Sequence, residues 1–311
     1  MSSIGRKGGL GIGIEGTPGT TTEIKTFCPF LDLSLAEAHT PIGDKSAKGV
    51  REEFGKNPVE GKKWGEGSVE VILDPETAPA WFSLALGAIS SATDALTVHS
   101  IYRNNSNQPL SATIYRSRDV DEVKFPYSVV NSLELSFADD VAKIKCDIMS
   151  KYPVAEGDTP SYDDLELYTF KNAYLELTNG GATSELKVRE LTLNIENNIE
   201  PIYAPNSNDV DRYVSKNFNV NGSFTVLFED ETQKDAFKDL TNQALSIVFT
   251  GNAGGETGKI TITIPQFRVD KWTAETPIDD LSQETVDFVA EYDGTTTGCI
   301  TVEVKNQTYS Y

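Results

Sequence analysis

The chain has 311 residues, a net charge of −20 and a mean hydropathy of −0.33. That length suggests two domains with ordinary packed cores. The acidic excess argues against a default nucleic-acid binder, because such affinity comes from Lys and Arg neutralising phosphates.

Three scattered cysteines (Cys28, Cys146, Cys299) and two histidines (His39, His99) form no CxxC pair and no zinc spacing. They fit buried thiols in a reducing compartment rather than a disulfide frame. The N-terminus has basic residues but no apolar core of a signal peptide. The uncharged stretch Ala78 to Ala92 is too short to span a bilayer and reads as a packed helix.

Taken in order, residues 1–27 read as an N-terminal arm, flexible at least through residue 22. Gly11-Ile-Gly-Ile-Glu-Gly16 fits G-x-G-x-x-G but lacks the strand before and the long helix after it that a phosphate loop needs. A strand over 28–36 places Leu31, Leu33 and Leu35 on its core face. Residues 37–63 form a long polar loop. Strand 67–73 then runs into a helix over 74–89, with Trp81, Phe82, Ala85 and Ile89 buried and Pro75 or Pro79 in its first turn. Short strands follow near 95–101 and 110–116. Residues 128–137 and 142–149 read as a hairpin with Leu133, Leu135, Ile144, Cys146 and Ile148 inward. An acidic stretch over 152–168, with two prolines and a glycine, reads as a linker.

A second unit spans 169–311, after a first over 28–151. It has a hairpin turning at Asn179-Gly-Gly181, a strand 189–196, another long loop over 197–213, and a strand 222–228 with Phe224, Val226 and Phe228 inward. A helix 232–243 shows Phe237, Leu240 and Ala244 as its apolar stripe. Strands near 244–250, 259–265, 266–273, 284–292 and 299–306 close the unit, with a hairpin loop over 252–258. Two echoes suggest duplication. Gly67-Ser to Thr77 steps to Gly222-Ser to Thr232 by 155 residues (222 − 67). Phe30 to Pro41-Ile42 steps to Glu190 to Pro201-Ile202 by 160 (190 − 30).

No chemistry stands out. Two histidines give no credible Ser/His/Asp set. The acid pairs Asp139-Asp140 and Asp279-Asp280 sit in predicted turns, and no Walker, HExxH or EF-hand pattern occurs. The expectation is no enzyme, no metal and no cofactor. The strand faces opposite the apolar ones are polar and largely acidic. They carry Asp32, Ser34, Glu70, Glu134, Asp147, Thr192, Asn194, Glu196, Thr225, Asp287 and Glu291. Alone, these suit the solvated face of an antiparallel sheet.

The order of Phe170-Lys-Asn-Ala-Tyr-Leu-Glu-Leu177, Leu193-Asn-Ile-Glu-Asn-Asn-Ile-Glu-Pro-Ile-Tyr203, the Gly222 to Asp230 strand and its helix resembles the tail tube proteins of long-tailed, siphovirus-like bacteriophages. Glu15-Gly-Thr-Pro-Gly-Thr20 and Val129-Val-Asn-Ser-Leu-Glu-Leu-Ser136 resemble them too. The resemblance implies an all-β fold: two tandem β-sandwich tube domains, one helix each, whose inner sheets join neighbours into a large β-barrel ring. It implies a structural virion protein of the tail, assembled in the host cytoplasm. Its partners would be copies of itself, as a stacked homotrimeric pseudo-sixfold ring or alternatively a homohexamer, together with tape-measure, tail-terminator and baseplate proteins. DNA would pass through the lumen without specific binding, and no membrane is involved. The acidic and polar strand-face residues would then face the lumen. Gly43, Lys45, Lys48, Lys62, Pro205, Asn206, Asn208 and Asp209, on the two long loops, would bridge stacked rings. The alternative reading is a capsid-decorating or surface-adhesive β-sandwich that binds a partner or carbohydrate, with Trp64 and Trp272 as candidate contacts.

Overall fold

The computed structural model describes residues 5–43, 46, 58–93, 96–106, 108–138, 140–162, 167–251, 258–276, 278, 281–292, 294, 298–308 and 311. Alternation of apolar and polar residues makes most of its regular structure strand. In chain order these are β1 (Gly9–Ile14), β2 (Thr26–Phe27), β3 (Phe30–Leu33), β4 (Ala36–Ile42), β5 (Val59–Ile72), helix α1 (Ala78–Leu86), β6 (Gly87–Thr93), β7 (Thr97–Arg103), β8 (Ala112–Ser117), β9 (Glu122–Phe137), β10 (Lys143–Ser150) and β11 (Val154–Ala155). Then come β12 (Ala173–Asn179), β13 (Ala182–Leu186), β14 (Val188–Glu196), β15 (Ile199–Tyr203), β16 (Val210–Ser215), β17 (Asn219–Leu227), helix α2 (Thr232–Asp239), β18 (Gln243–Phe249), β19 (Lys259–Glu275), β20 (Gln283–Ala290) and β21 (Thr301–Asn306). The broad expectation of an all-β protein with two helices holds.

Eight strands form one continuous antiparallel sheet in the order β3-β5-β10-β9-β14-β17-β20-β19. The long strands β9 and β19 bend out of it. Their N-terminal halves pair instead with outer strands: β9 with β8 and β11, β19 with β18 and β21. The outer layer continues through β1 and β2 beside β8, through β12 and β13 beside β18, and through β7 and β6 beside β21. Between the layers lies the main apolar core, with a smaller cluster around Tyr127 and Tyr213 beside it. The main core includes Val69, Leu135, Cys146, Leu193, Phe224 and Phe288, each at most 1 % exposed.

The first and second groups of four strands share their pairing. Val69 opposes Cys146, which opposes Leu133; Phe224 opposes Val286, which opposes Trp272. Residue 131 on β9 and residue 270 on β19 are each the extra residue of a bulge at the same place in this register. A second bulge recurs at Phe30/Asp32 and Val188/Glu190, and a third at Ala112/Ile114 and Gln243/Leu245. Leu33 opposes Val69 and Leu191 opposes Phe224, so β3 corresponds to β14 at a step of 158 residues (191 − 33), not the 160 read from the sequence. The step of 155 for β5 and β17 stands. Among the described residues the β6–β7 hairpin has no counterpart in the second group.

Several expectations change. Leu31 is 49 % exposed, because the bulge at Phe30/Asp32 turns it out of the alternation; Leu35 is fully buried. Residues 9–14, expected to belong to a flexible arm, form the buried strand β1, and Glu15 anchors the turn after it. The stretch 152–168 is not a free tether among its described residues. β11 pairs with β9, and the Lys124 ammonium meets Glu156 at 2.7 Å and Asp158 at 3.5 Å. Among the described residues, both long loops contain paired strands, β4 against β5 and β15 against β16.

All nine residues of α1 are buried, and Gly87 closes it at φ 91°; Ile89 belongs to β6. In α2 the buried residues are Gln233 and Ala236, while Phe237 is 36 % and Leu240 63 % exposed. This helix packs chiefly on β19, the expected stripe residues Phe237 and Leu240 face out, and Ala244 lies on β18. Phe228 is half-buried against the Trp272 ring. Strands 259–265 and 266–273 are one strand, β19. It passes through Pro265 at a bulge, where a missing N–H is tolerated. The predicted turns at Asp139, Asp279-Asp280 and 252–257 lie outside the described residues.

Candidate functional site: a polar sheet face and two open edges

The face of the eight-strand sheet that turns away from the core carries aligned polar rows. One row runs Asp32, Glu70, Lys145, Glu134, Asn194, Asn221 across β3, β5, β10, β9, β14 and β17. The next runs Ser34, Ser68, Asp147, Ser132, Glu196, Asn219. A third runs Lys143, Ser136, Thr192, Ser223, Asp287, Lys271, and Thr225, Thr285 and Thr273 align beside it. Ten of the eleven residues named from the sequence therefore share one continuous face. Glu291 comes just after the end of β20, held by Arg268 Nε at 3.0 Å.

Neighbours on this face bond to one another. Ser132 Oγ donates to Asp147 at 2.8 Å, Asn194 Nδ2 donates to Asn221 Oδ1 at 3.3 Å, and the Thr225 and Thr285 hydroxyls are 3.1 Å apart. Sequence reasoning missed Lys143, Lys145 and Lys271. The alternation that puts Ile144, Cys146 and Ile148 inward already turns Lys143 and Lys145 to the polar face. The lysines sit among the acids, so the face is hydroxyl- and amide-rich with a modest acidic balance rather than uniformly acidic.

The middle of this sheet is a joint. β9 of the first four strands pairs with β14 of the second, with Leu133 opposite Ile195, Leu135 opposite Leu193 and Phe137 opposite Leu191. Asn131 and Asn197 extend it. The buried Asn197 side chain donates to the carbonyls of Ala85 (2.8 Å) and Val130 (3.0 Å) and accepts from Arg103 Nη1 (3.0 Å). The two ends of the sheet are open among the described residues. On one side Val269–Glu275 of β19 pairs only with β20; on the other, β3 and β4 pair only with β5. The carbonyl of Leu35, which β5 does not take, accepts from Arg116 Nη1 at 2.8 Å and Arg118 Nη2 at 3.2 Å.

The two hairpins form a second surface. Lys63 N–H donates to the Asn208 carbonyl at 2.8 Å, the Lys62 ammonium lies 4.3 Å above the Tyr203 ring, and Asp209 accepts from Tyr152 N–H at 3.2 Å. The turn holding Pro205, Asn206 (φ 70°), Asn208 and Asp209 thus braces the first hairpin of the same chain. Gly43 is exposed beyond β4, and Ile42 and Val59 expose apolar side chains there. Lys45 and Lys48 lie outside the described residues.

Among the described residues no group of three His, Cys, Asp or Glu is placed to hold a metal. Burial pushes the thiols of Cys28 and Cys146 up, away from the nucleophilic thiolate. Trp272 donates its indole N–H to Glu284 at 2.7 Å, and half-buried Trp64 packs beside the Tyr127–Tyr213 cluster; neither forms the exposed aromatic platform of a sugar site. No described helix is long and apolar enough to cross a membrane.

The fold is a β-sandwich with one broad polar sheet face, and its class is that of all-β proteins without a catalytic or metal constellation among the described residues. A family model for phage tail tube proteins matches residues 5–295, nearly the whole chain, and the chain belongs to that family. It is accordingly a structural component of a phage tail. No curated protein matches the chain.

Proposed function

We propose that the chain is a tandem duplicate of the tube domain. Three copies close a pseudo-sixfold ring, and stacked rings form the tube that conducts phage DNA. The carrying observation is the β9–β14 joint: two four-strand sheets already fuse, edge to edge, inside one chain. The shared bulges support duplication, with the first repeat beginning at β1 and β11 serving as a short counterpart of β21. A ring of six chains with one repeat hanging outside is disfavoured, because both repeats lie in one sheet.

Three chains supply 24 inner strands (3 × 8). At a spacing of about 4.8 Å these give a barrel about 37 Å across before tilt, and wider with it. That exceeds porins of about 16–18 strands, which pass only small solutes, and gives room for a duplex. The polar face lines this bore. Its hydroxyls and amides hold water, and its acids keep phosphates from settling while the interleaved lysines limit the field. The hairpin ends at Ile42 and Val59 reach the next ring, and tape-measure, terminator and baseplate proteins meet the tube at its ends.

Native mass measurement with negative-stain microscopy tests this. A ring of 102 kDa (3 × 34.0 kDa) that stacks into hollow tubes is expected. A 204 kDa ring (6 × 34.0 kDa) would replace the trimer with the hexamer. Persistent monomers at high concentration would favour the decorating or adhesive reading.

A further inference from the structure

We propose the residue register of the contact between copies, resting on the proposed ring: β19 of one chain pairs antiparallel with β3–β4 of the next, with Ala274 opposite Leu35. The joint inside the chain is the template. There β9 meets β14 with Leu135 opposite Leu193 and Glu134 opposite Asn194. The pairing within each four-strand group carries β9 onto β19 by 139 residues (272 − 133), and β14 onto β3 by 158. Leu135 becomes Ala274 and Leu193 becomes Leu35. Glu134 becomes Thr273 and Asn194 becomes Ala36. The alternation survives: Trp272, Ala274, Leu33 and Leu35 fall on the core side, and Thr273, Glu275, Ser34 and Ala36 on the polar side.

Two observations independent of the mapping agree with it. Among the described residues neither segment has a second strand partner, and an open edge calls for pairing or protection. The edge at Leu35 is guarded by Arg116 and Arg118, which hold its spare carbonyl. Moreover, the free edge of β3 carries an apolar side chain, Leu31, that is 49 % exposed in the single chain and that a neighbouring strand would cover. The partner surface is therefore a second copy of this chain, and each edge names the other.

The backbone fixes which pair to cross-link. Ser34 N–H donates to Ser68, so Ser34 and Ala36 direct their main-chain groups to β5. Ala36 and Thr273 then form a non-hydrogen-bonded pair, whose Cα atoms lie about 4.5 Å apart and whose Cβ atoms suit a disulfide. In a Cys299→Ser background, Ala36→Cys with Thr273→Cys is expected on mild oxidation to give a covalent ladder that stops at three chains. Ala36→Cys with Lys271→Cys or Glu275→Cys, two residues off on the same face, is expected to give at least tenfold less. Rings in reduced samples with cross-linking strongest in an off-register pair, or absent from all three, overturn the register and leave the ring standing. If no rings form and nothing cross-links, the ring reading falls and the register with it.

Discussion

The backbone N–H of Asn197 donates to the carbonyl of Asn131 at 2.8 Å, and the Asn131 side chain accepts Ile199 N–H at 2.9 Å. Asn131 is the bulged residue of β9, so the bulge frees its groups to clasp the chain where it leaves β14 and enters β15. With Asn197 buried and its amide shared between Ala85 and Val130, this clasp fastens the two sheets. Asn197→Ala strands two carbonyls and the Arg103 guanidinium. It is expected to cost about 3 kcal/mol, each orphaned buried group costing about 1–3. Chemical denaturation measures this; a change below about 1 kcal/mol would mean that the β9–β14 backbone pairing alone holds the joint.

Glu15 ties the N-terminal strand β1 to β8 and β9. Its carboxylate is 4 % exposed and accepts Gly19 N–H (2.7 Å), the hydroxyls of Ser111 (2.8 Å) and Thr113 (2.9 Å), and Tyr127 N–H (2.8 Å). Tyr127 has φ 53°, a strained conformation for a side chain of its size, and the Glu15 bond holds it there. Glu15→Ala is expected to destabilise by about 3 kcal/mol or more and to raise hydrogen exchange over Gly9–Ile14. Unchanged exchange in β1 would show that its pairing with β8 is sufficient.

The parts of the fold legible in the sequence are those set by local pattern. Leu133, Leu135, Ile144 and Cys146 alternate cleanly and lie inward. Leu31 failed because a bulge consumes a residue, which alternation cannot register. β1 was missed because glycines at 9, 11 and 13 gave it a loop's composition. Those glycines allow close approach instead: a Cβ at Gly13 would sit 2.1 Å from the Glu23 carbonyl oxygen. The hairpins hid behind polar residues. The β9–β14 joint was illegible because nothing local distinguishes an edge strand from a paired one. The polar face was legible one strand at a time, which gave its acids but not their alignment with Lys145 and Lys271.

The two helices invite a matched pair of substitutions. Phe82 is fully buried in α1 and Phe237 is 36 % exposed on α2, although both stand at the same place after their strands. Phe82→Ala is expected to cost about 3–5 kcal/mol, as is Phe224→Ala at 1 % exposure. Phe237→Ser is expected to change stability by under about 1 kcal/mol. Melting curves of the three variants decide this; a large loss at Phe237 in the unassembled chain would contradict the orientation of α2.

Burial raises the pKa of Glu284, with the Trp272 indole N–H opposing that shift and Asp230 adding to it. A raised acid keeps its proton longer in the folded state than in the unfolded chain. Stability therefore falls as pH climbs from the unfolded value of about 4.3 through the folded one, and is level above it. Glu284→Gln keeps an acceptor for Trp272 and removes the ionisation. It is expected to be more stable than the parent at pH 7, with the advantage fading near pH 4. Parallel melting temperatures of parent and variant across pH 4–7 would refute the buried-carboxylate account.

The polar face offers the functional test. Asp32, Glu134 and Glu196 point from two neighbouring rows of the sheet and none anchors a core contact, so their replacement leaves the fold intact. Asp32→Lys, Glu134→Lys and Glu196→Lys together move each chain's charge by +6, from −20 to −14. With Lys143, Lys145 and Lys271 already present, they turn the face into a phosphate-binding wall. Tubes are expected to assemble normally. Duplex DNA is expected to be retained by open tubes at low salt and released as salt rises, with a logarithmic slope close to the number of phosphates engaged. Particles carrying such tubes are expected to deliver their genomes slowly at low ionic strength and to recover in part when salt is added. Delivery at the parent rate, from tubes shown by microscopy to carry the lysines in the bore, would discard electrostatic clearance as the reason for the face while leaving the tube itself in place.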